Sequence, residues 1–435
     1  VVALLLLAEA AGAQTPSAPE TLDDAWRVAL AQDRRVAAAR QLTGAAEQGL
    51  VAAKASRLPA LNLEGGYTAL SHAPSTIVDI PPLIIPGVAV PLQLPFDRLA
   101  VGQARLWSYT AAASVPVYTS GRIEESIAGA NATLRVARAD EAATALEIKL
   151  RVAEAFVAVL RAQSAIDVID TEVASLSAHA IDAANLFEQG VTARNDRLAA
   201  EVTLADARQR RIQAAHALDG AAAAYNRLLN RPLDRPVTLA APGLPPVDGD
   251  IAGLTARAVA ARPELAGWTD QADVHAHRAA GRLAVTRPQA SVAGGYSYQQ
   301  NQYQLYPGLW SVRFDVRWTV FDGGASRAGA AADRGQADAA ISHRDDLASI
   351  VALEVRQAWL EVDSTARREQ VARDAIEQAD ENLRVTRDRY TAGVGIATEV
   401  LDAEALRARA HTNAASASYD HILALVRLRR AIGDL

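Results

Sequence analysis

An internal repeat restricts this fold more than any other feature, because a chain that uses one pattern twice must place two copies of every element. Glu154-Ala155-Phe156 recurs as Gln357-Ala358-Trp359, Phe187-Glu188-Gln189-Gly190-Val191 as Tyr390-Thr391-Ala392-Gly393-Val394, and Leu229 as Ile432, all 203 positions apart (357 − 154, 390 − 187, 432 − 229). Earlier in each half the separation is 229: Val36 matches Leu265, Pro59 matches Pro288, and Gly66-Tyr67 matches Gly295-Tyr296. The difference of 26 (229 − 203) is an insertion in the first copy, between Tyr67 and Tyr118. The expected organisation is a signal-peptide remnant at 1–13, a first structural repeat at 14–235, a linker at 236–250 and a second repeat at 251–435.

Each copy reads helix, strand pair, very long helix, break, helix. Residues 122–188 and 325–389 are rich in Ala, Leu, Glu, Gln and Arg and contain no proline, so their helix propensity is high. At 1.5 Å per residue each would extend about 100 Å, the scale of a coiled coil. Shorter helices are expected at 195–230 and 398–432, and single helices at roughly 22–58 and 251–287.

The strands alternate. Trp310, Val312, Phe314, Val316, Trp318 and Val320 share one parity, and Ser311, Arg313, Asp315, Arg317 and Thr319 share the other. The equivalent parity in the first copy holds Trp107, Tyr109, Ala111, Ala113, Val115 and Val117. A period of two with charges on one side suits a strand between an apolar and an aqueous phase, although a half-buried strand of a soluble sheet alternates too. Trp107, Tyr109, Trp310 and Trp318 are candidate membrane-interface aromatics, placed for outer-membrane lipid. Two hairpins supply four strands, too few to close a membrane barrel, and an open edge in hydrocarbon leaves backbone groups unpaired. The barrel must be shared between chains; two chains would make eight strands and three would make twelve.

Val1 to Ala8 are apolar, and Ala11-Gly12-Ala13 before Gln14 fits a signal-peptidase site, so export is expected. No uninterrupted apolar run of about 18 to 20 residues follows. The nearest, Ile77 to Phe96, carries Pro81, Pro82, Pro86, Pro91 and Pro95, which would break a helix. With no cysteine, disulfides, thiolate metal sites, a cysteine nucleophile and a lipid anchor are not expected. A net charge of −6 provides no basic field for nucleic acid. His275 and His277 fall on different helix faces, not at metal-binding spacing, and Phe321-Asp322-Gly323-Gly324-Ala325-Ser326-Arg327 lacks the Gly-Lys-Ser/Thr ending of a phosphate loop. Neither an enzyme, a cofactor nor a metal site is expected.

Val115-Pro116-Val117-Tyr118-Thr119-Ser120-Gly121 and Thr319-Val320-Phe321-Asp322-Gly323-Gly324 lead into the long helices, and Phe187 to Val191 and Tyr390 to Val394 mark their breaks. In this order the chain resembles the TolC-like outer-membrane efflux family over nearly its whole mature length. The resemblance implies an α+β membrane protein, a homotrimer whose twelve-stranded β-barrel, four strands per chain, is continued by a long α-helical barrel through the periplasm. It also implies the exit duct of a tripartite efflux or type I secretion system, which passes small molecules such as drugs or metals, or proteins, from an inner-membrane pump joined through a periplasmic adaptor protein. The rival reading is an exported periplasmic coiled-coil scaffold or adaptor without channel activity. The four aromatic-bounded strands speak against it.

The same resemblance implies roles at the helical tip. Gly190, Val191, Thr192, Gly393, Val394 and Gly395 match the turns that meet the adaptor, and Asp196 and Tyr390 match the hydrogen bond that holds neighbouring coils closed. Glu399 and Asp402 match carboxylates that ring the narrowest point; read by themselves, acids in a first helical turn are equally dipole partners, as the glycines are C-caps. Gly395 stands where the best-known member has a locking arginine, leaving Arg194 and Arg389 as the arginines nearby. The insertion, Ser71 to Val101, is expected to be an extracellular loop whose Ile80, Leu83, Ile84, Ile85 and Leu94 pack over the barrel mouth.

Overall fold

The structure is a computed structural model that describes residues 18–77, 86–87 and 98–435. The expected signal-peptide remnant at 1–13 and the insertion's Ile80, Leu83, Ile84, Ile85 and Leu94 lie outside the described residues.

The first half runs α1 (Leu22–Gln32), α2 (Arg34–Ala55), β1 (Ala60–Ala69), β2 (Ser75–Ile77), β3 (Arg98–Ala100), β4 (Arg105–Tyr118), α3 (Arg122–Glu188) and α4 (Arg194–Leu228). The second runs α5 (Ile251–Ala261), α6 (Pro263–Ala284), β5 (Gln289–Gln299), β6 (Gly308–Arg317), α7 (Ala325–Thr391) and α8 (Ala397–Ala431). Corresponding helices have equal lengths: α1 and α5 have 11 residues, α2 and α6 have 22, α3 and α7 have 67, and α4 and α8 have 35. Beyond the repeated pattern, β2 and β3 pair as a short antiparallel ribbon inside the insertion.

Two expectations need correction. The opening helix of each half is two helices, broken where Asp33 and Arg262 take extended backbone angles. Asp33 ends α1 and caps α2, its Oδ1 accepting from the Arg35 N–H at 2.7 Å. At the second break Pro263 opens α6; it lacks an N–H and disfavours helical geometry in the residue before it, so the chain bends at Arg262. The strand alternation also outruns the strand: β6 ends at Arg317, and the Trp318 indole N–H donates to the Thr286 carbonyl at 3.1 Å.

The four long strands form one antiparallel sheet in the order β1-β4-β5-β6. Its centre joins the halves of the chain, with Val115 opposite Val292 and Ala111 opposite Tyr296. The sheet belongs to a compact unit whose described residues are 45–77, 86–87, 98–135 and 270–341. That unit is tied by Arg135 to Asp270 and Asp273, at 2.5 and 2.7 Å, and by His277 to Glu125 at 2.7 Å.

The described residues of a second compact unit are 18–44, 136–269 and 342–435. One core gathers Leu22, Val36, Ile148, Val152, Phe156, Tyr225 and Leu229; a second gathers Leu254, Leu265, Val351, Val355, Leu428 and Ile432. The first is closed by polar bonds at its rim. Arg231 grips Glu20 at 2.7 and 2.9 Å, and the Tyr225 hydroxyl donates to the same carboxylate at 3.1 Å. Burial works to raise the Glu20 pKa, but the Arg231 hydrogen bonds and charge prevail and hold it below the ordinary carboxylate range.

Candidate functional site

Among the described residues two features stand out: one face of the sheet, and the turns that join α3 to α4 and α7 to α8. The sheet face collects Leu61, Leu63 and Tyr67 from β1, Trp107 and Tyr109 from β4, Tyr296 and Tyr298 from β5, and Trp310, Val312, Phe314 and Val316 from β6. Trp310 is 82% exposed and Val312 85%, although both are strongly apolar. The reverse side of β6 carries Arg313 and Asp315, paired at 2.8 Å. Aromatic rings lie across the sheet in register: Tyr67 on Trp107 at 4.9 Å, Tyr109 on Tyr298 at 6.2 Å, and Tyr296 on Trp310 at 5.1 Å between centroids. Strands β1 and β6 are its edges. Among the described residues, no helix is long and apolar enough to cross a membrane.

The turn from α3 to α4 and the turn from α7 to α8 are built alike. Gly190 N–H donates to the Phe187 carbonyl and Val191 N–H to that of Leu186, both at 2.9 Å; Gly393 and Val394 donate to Tyr390 and Arg389, both at 3.0 Å. This double bond pattern is the Schellman stop, which requires the left-handed backbone that Gly190 (φ 76°) and Gly393 (φ 73°) adopt. Val191 and Val394 stand exposed at the turns, and the Thr192 hydroxyl donates to Asp196 Oδ2 at 3.1 Å. At Gly395 a Cβ would lie 3.0 Å from the Tyr390 backbone nitrogen and 3.3 Å from Arg389 Cβ. A larger residue there needs the turn to shift.

The carboxylates predicted to line a constriction differ in their surroundings. Glu399 is half-buried in the first turn of α8, with Arg389 3.6 Å from its Oε2. Asp402, one turn on, is exposed and has no ion pair or hydrogen bond among the described residues. Tyr390 is 5% exposed and packs with Leu383, Ala397, Val400 and Ala403. Its hydroxyl is buried without a hydrogen-bond partner, so Tyr390 and Asp196 are not bonded within the chain. Burial pushes the Tyr390 pKa up, the Asp196 and Asp182 charges add to the rise, and the Thr192 hydroxyl works against it.

Behind Tyr390 lies a polar cluster that the sequence reading missed. Arg387 of α7 reaches Glu404 of α8 at 2.5 Å, and the Ser175 hydroxyl of α3 donates to the same Glu404 oxygen at 2.7 Å while also receiving Arg387. The His179 ring leans on Tyr390, with centroids 5.2 Å apart. Glu404 is 2% exposed and His179 3%. The signal was available: His179 sits in the spacing Leu176, His179, Ala183, Arg387 in Leu383, Arg387, Tyr390, and Glu404 beside Val400 and Ala403. Each puts a polar side chain on a core-facing helical stripe, which is costly without a partner.

His275 and His277 go to different partners, Gln271 and Glu125, and among the described residues no cluster could hold a metal ion.

The fold is that of solved outer-membrane channels. The outer-membrane channel OprN aligns over 95% of this chain and 90% of its own, with a TM-score of 0.76 at 19% identity. VceC, from the bacterial pathogen Vibrio cholerae, aligns over 95% and 96% with a TM-score of 0.76 at 15% identity. The open state of the Neisseria gonorrhoeae MtrE outer-membrane channel aligns over 95% and 88% with a TM-score of 0.75 at 18% identity. By sequence, no curated protein matches the chain. The family model described as "outer membrane efflux protein" matches residues 26–231 and 257–434, both halves of the sequence, and on that match the chain belongs to the outer membrane efflux protein family.

Proposed function

We propose that this efflux protein works as one of three identical subunits of a duct. Each chain lends four strands to a shared twelve-stranded barrel in the outer membrane, and α3, α4, α7 and α8 continue the passage into the periplasm. The sheet carries this reading. Its two edges, β1 and β6, call for partner strands, and its exposed face is apolar with aromatic rings on all four strands. Placed in lipid, such a face gains about 25 cal/mol per Å² of apolar surface removed from water, whereas unpaired edges inside lipid would cost several kcal/mol for each backbone group. Copies joined edge to edge meet both requirements. The equal helix lengths support an origin by tandem duplication.

The turns at Gly190 to Thr192 and Gly393 to Gly395 are the proposed contacts for a periplasmic adaptor protein, through which an inner-membrane pump would deliver cargo. Asp402 is the proposed constriction carboxylate, with Glu399 as a second, charge-compensated member. Repeated by threefold symmetry, they would form rings of negative charge that favour cations. Purified protein in detergent should be a trimer by native mass spectrometry, shift in gel mobility on heating and conduct in planar bilayers. A stable monomer without conductance would overturn the proposal in favour of a periplasmic scaffold.

A further inference from the structure

We propose that β1 of one copy pairs with β6 of the next in a single register, with Glu64 opposite Arg313, and that this charge pair on the lumenal side fixes the register. The inference rests on the duct reading above and specifies the seam at which its copies join.

The chain itself pairs β1 with β4, β4 with β5 and β5 with β6, which leaves the edges β1 and β6 for a neighbouring copy. Both edge strands are ten residues long. Laid antiparallel without overhang, Ala60 faces Arg317 and Ala69 faces Gly308, so the odd residues of β1 share a side with the even residues of β6. The apolar face then continues across the seam, with Leu61 opposite Val316, Leu63 opposite Phe314 and Tyr67 opposite Trp310. A slip of one residue would turn that face inward. Only slips of two residues compete.

The lumenal side distinguishes these. On β1 it carries Asn62 and Glu64, and on β6 it carries Arg313, Asp315 and Arg317. Glu64 is exposed, with no ion pair or hydrogen bond among the described residues. Arg313 engages Asp315 through Nε, leaving its two terminal nitrogens as donors. In the register without overhang Glu64 meets Arg313, and the Asn62 amide meets the Asp315 carboxylate. A slip of two residues one way sets Glu64 against Asp315, and like charges directly opposite are destabilising. The other slip sets Glu64 against Ser311 and leaves the pair unmade.

Barrel closure agrees. The row of paired residues from Glu64 runs through Thr110, Ser297 and Leu309. In this register it arrives at Thr68 of the next copy, a stagger of four residues (68 − 64) over four strands. One residue of about 3.4 Å for each strand spacing of about 4.8 Å is a tilt of about 35°, which is typical of closed barrels. The two slipped registers give about 20° and about 47° by the same geometry.

The chain has no cysteine, so introduced pairs read the register directly. Glu64 and Arg313 stand on opposite edges of one sheet, and a disulfide between those positions therefore joins two copies. Opposed positions hold their Cα atoms about 4.5 to 5.5 Å apart, within disulfide reach, whereas diagonal positions are about 7 to 8 Å apart. In the full chain, assembled in detergent and oxidised, Glu64→Cys with Arg313→Cys should run as covalent dimers and trimers on a denaturing gel. Thr68→Cys with Leu309→Cys, which leaves both charges in place, should do the same. Glu64→Cys with Asp315→Cys, or with Ser311→Cys, should run as monomer. Neutralising either charge costs little, because an exposed ion pair contributes little. Glu64→Arg, however, sets like charges at every seam and should lower the temperature at which the heat-modifiable oligomer dissociates, and adding Arg313→Glu should restore it. Cross-linking by a displaced pair in preference to the opposed ones, by no pair in an assembled oligomer, or a charge swap without recovery overturns the register while leaving the duct intact. An unaltered protein that is monomeric and conducts nothing removes the duct reading and the register with it.

Discussion

Arg389, in the last turn of α7, and Glu399, in the first turn of α8, face each other across the Gly393 turn with 3.6 Å between guanidinium and carboxylate. A basic residue meets the tip from the helix before the turn, while within the turn a side chain at Gly395 would crowd the Tyr390 nitrogen and Arg389. The contact sets a positive charge beside one of the two carboxylates proposed for the constriction. Arg389→Ala should strengthen cation selectivity and block by multivalent cations, because it removes the positive charge beside each Glu399. Reversal-potential measurements in a salt gradient check the sign.

Asp402 has no such partner among the described residues, so it should dominate selectivity. Asp402→Ala should reduce cation preference more than Glu399→Ala does, and the double variant should lose most of it together with block by multivalent cations. If the double variant kept both properties, the two acids would be ordinary residues near a helix start.

The Schellman turns make a prediction about stability. Gly393→Ala forces a residue with a Cβ into left-handed backbone, at a cost of about 1 to 2 kcal/mol per chain. Space at that site is open, so the loss is conformational and Gly393→Asn should recover part of it. Thermal unfolding of the assembled protein, followed by circular dichroism, measures both.

Acid should weaken the core around Glu20. Because its folded pKa is depressed, the stabilisation is fully present above the ordinary carboxylate pKa and is lost as pH falls through the lowered value. Glu20→Gln should make the melting temperature less sensitive to acid in that window. Tyr225→Phe, which deletes one hydrogen bond to Glu20, should cost about 1 kcal/mol at neutral pH.

The sheet face should tolerate apolar substitutions and reject charge. Val312→Arg places a cation on a face proposed to meet lipid, with an expected loss of about 2 to 4 kcal/mol if the position lies near the bilayer midplane. Arg313→Gln on the opposite side should be nearly neutral. Equal effects of the two, read as the urea dependence of the heat-modifiable gel form, would contradict the proposed placement.

Local periodicity explains what was legible in advance. The long helices were evident over 122–188 and 325–389, because uninterrupted proline-free sequence of high propensity needs little help from elsewhere; the structure extends the second to Thr391. The exposed parity of β6 could likewise be read from Trp310, Val312, Phe314 and Val316, since the direction of a strand side chain depends on its position alone. The breaks at Asp33 and Arg262 were less visible: Asp33 caps through its own side chain, and Pro263 is tolerated at a helix start as well as at a helix end. What only tertiary structure decided was the company that polar side chains keep. Arg387, Glu404, Ser175 and His179 lie on three helices, and no local pattern says which buried charge will meet which donor. Arg389 meets Glu399 for the same reason: propensity and alternation are properties of neighbours in sequence, whereas a buried charge is stabilised by neighbours in space.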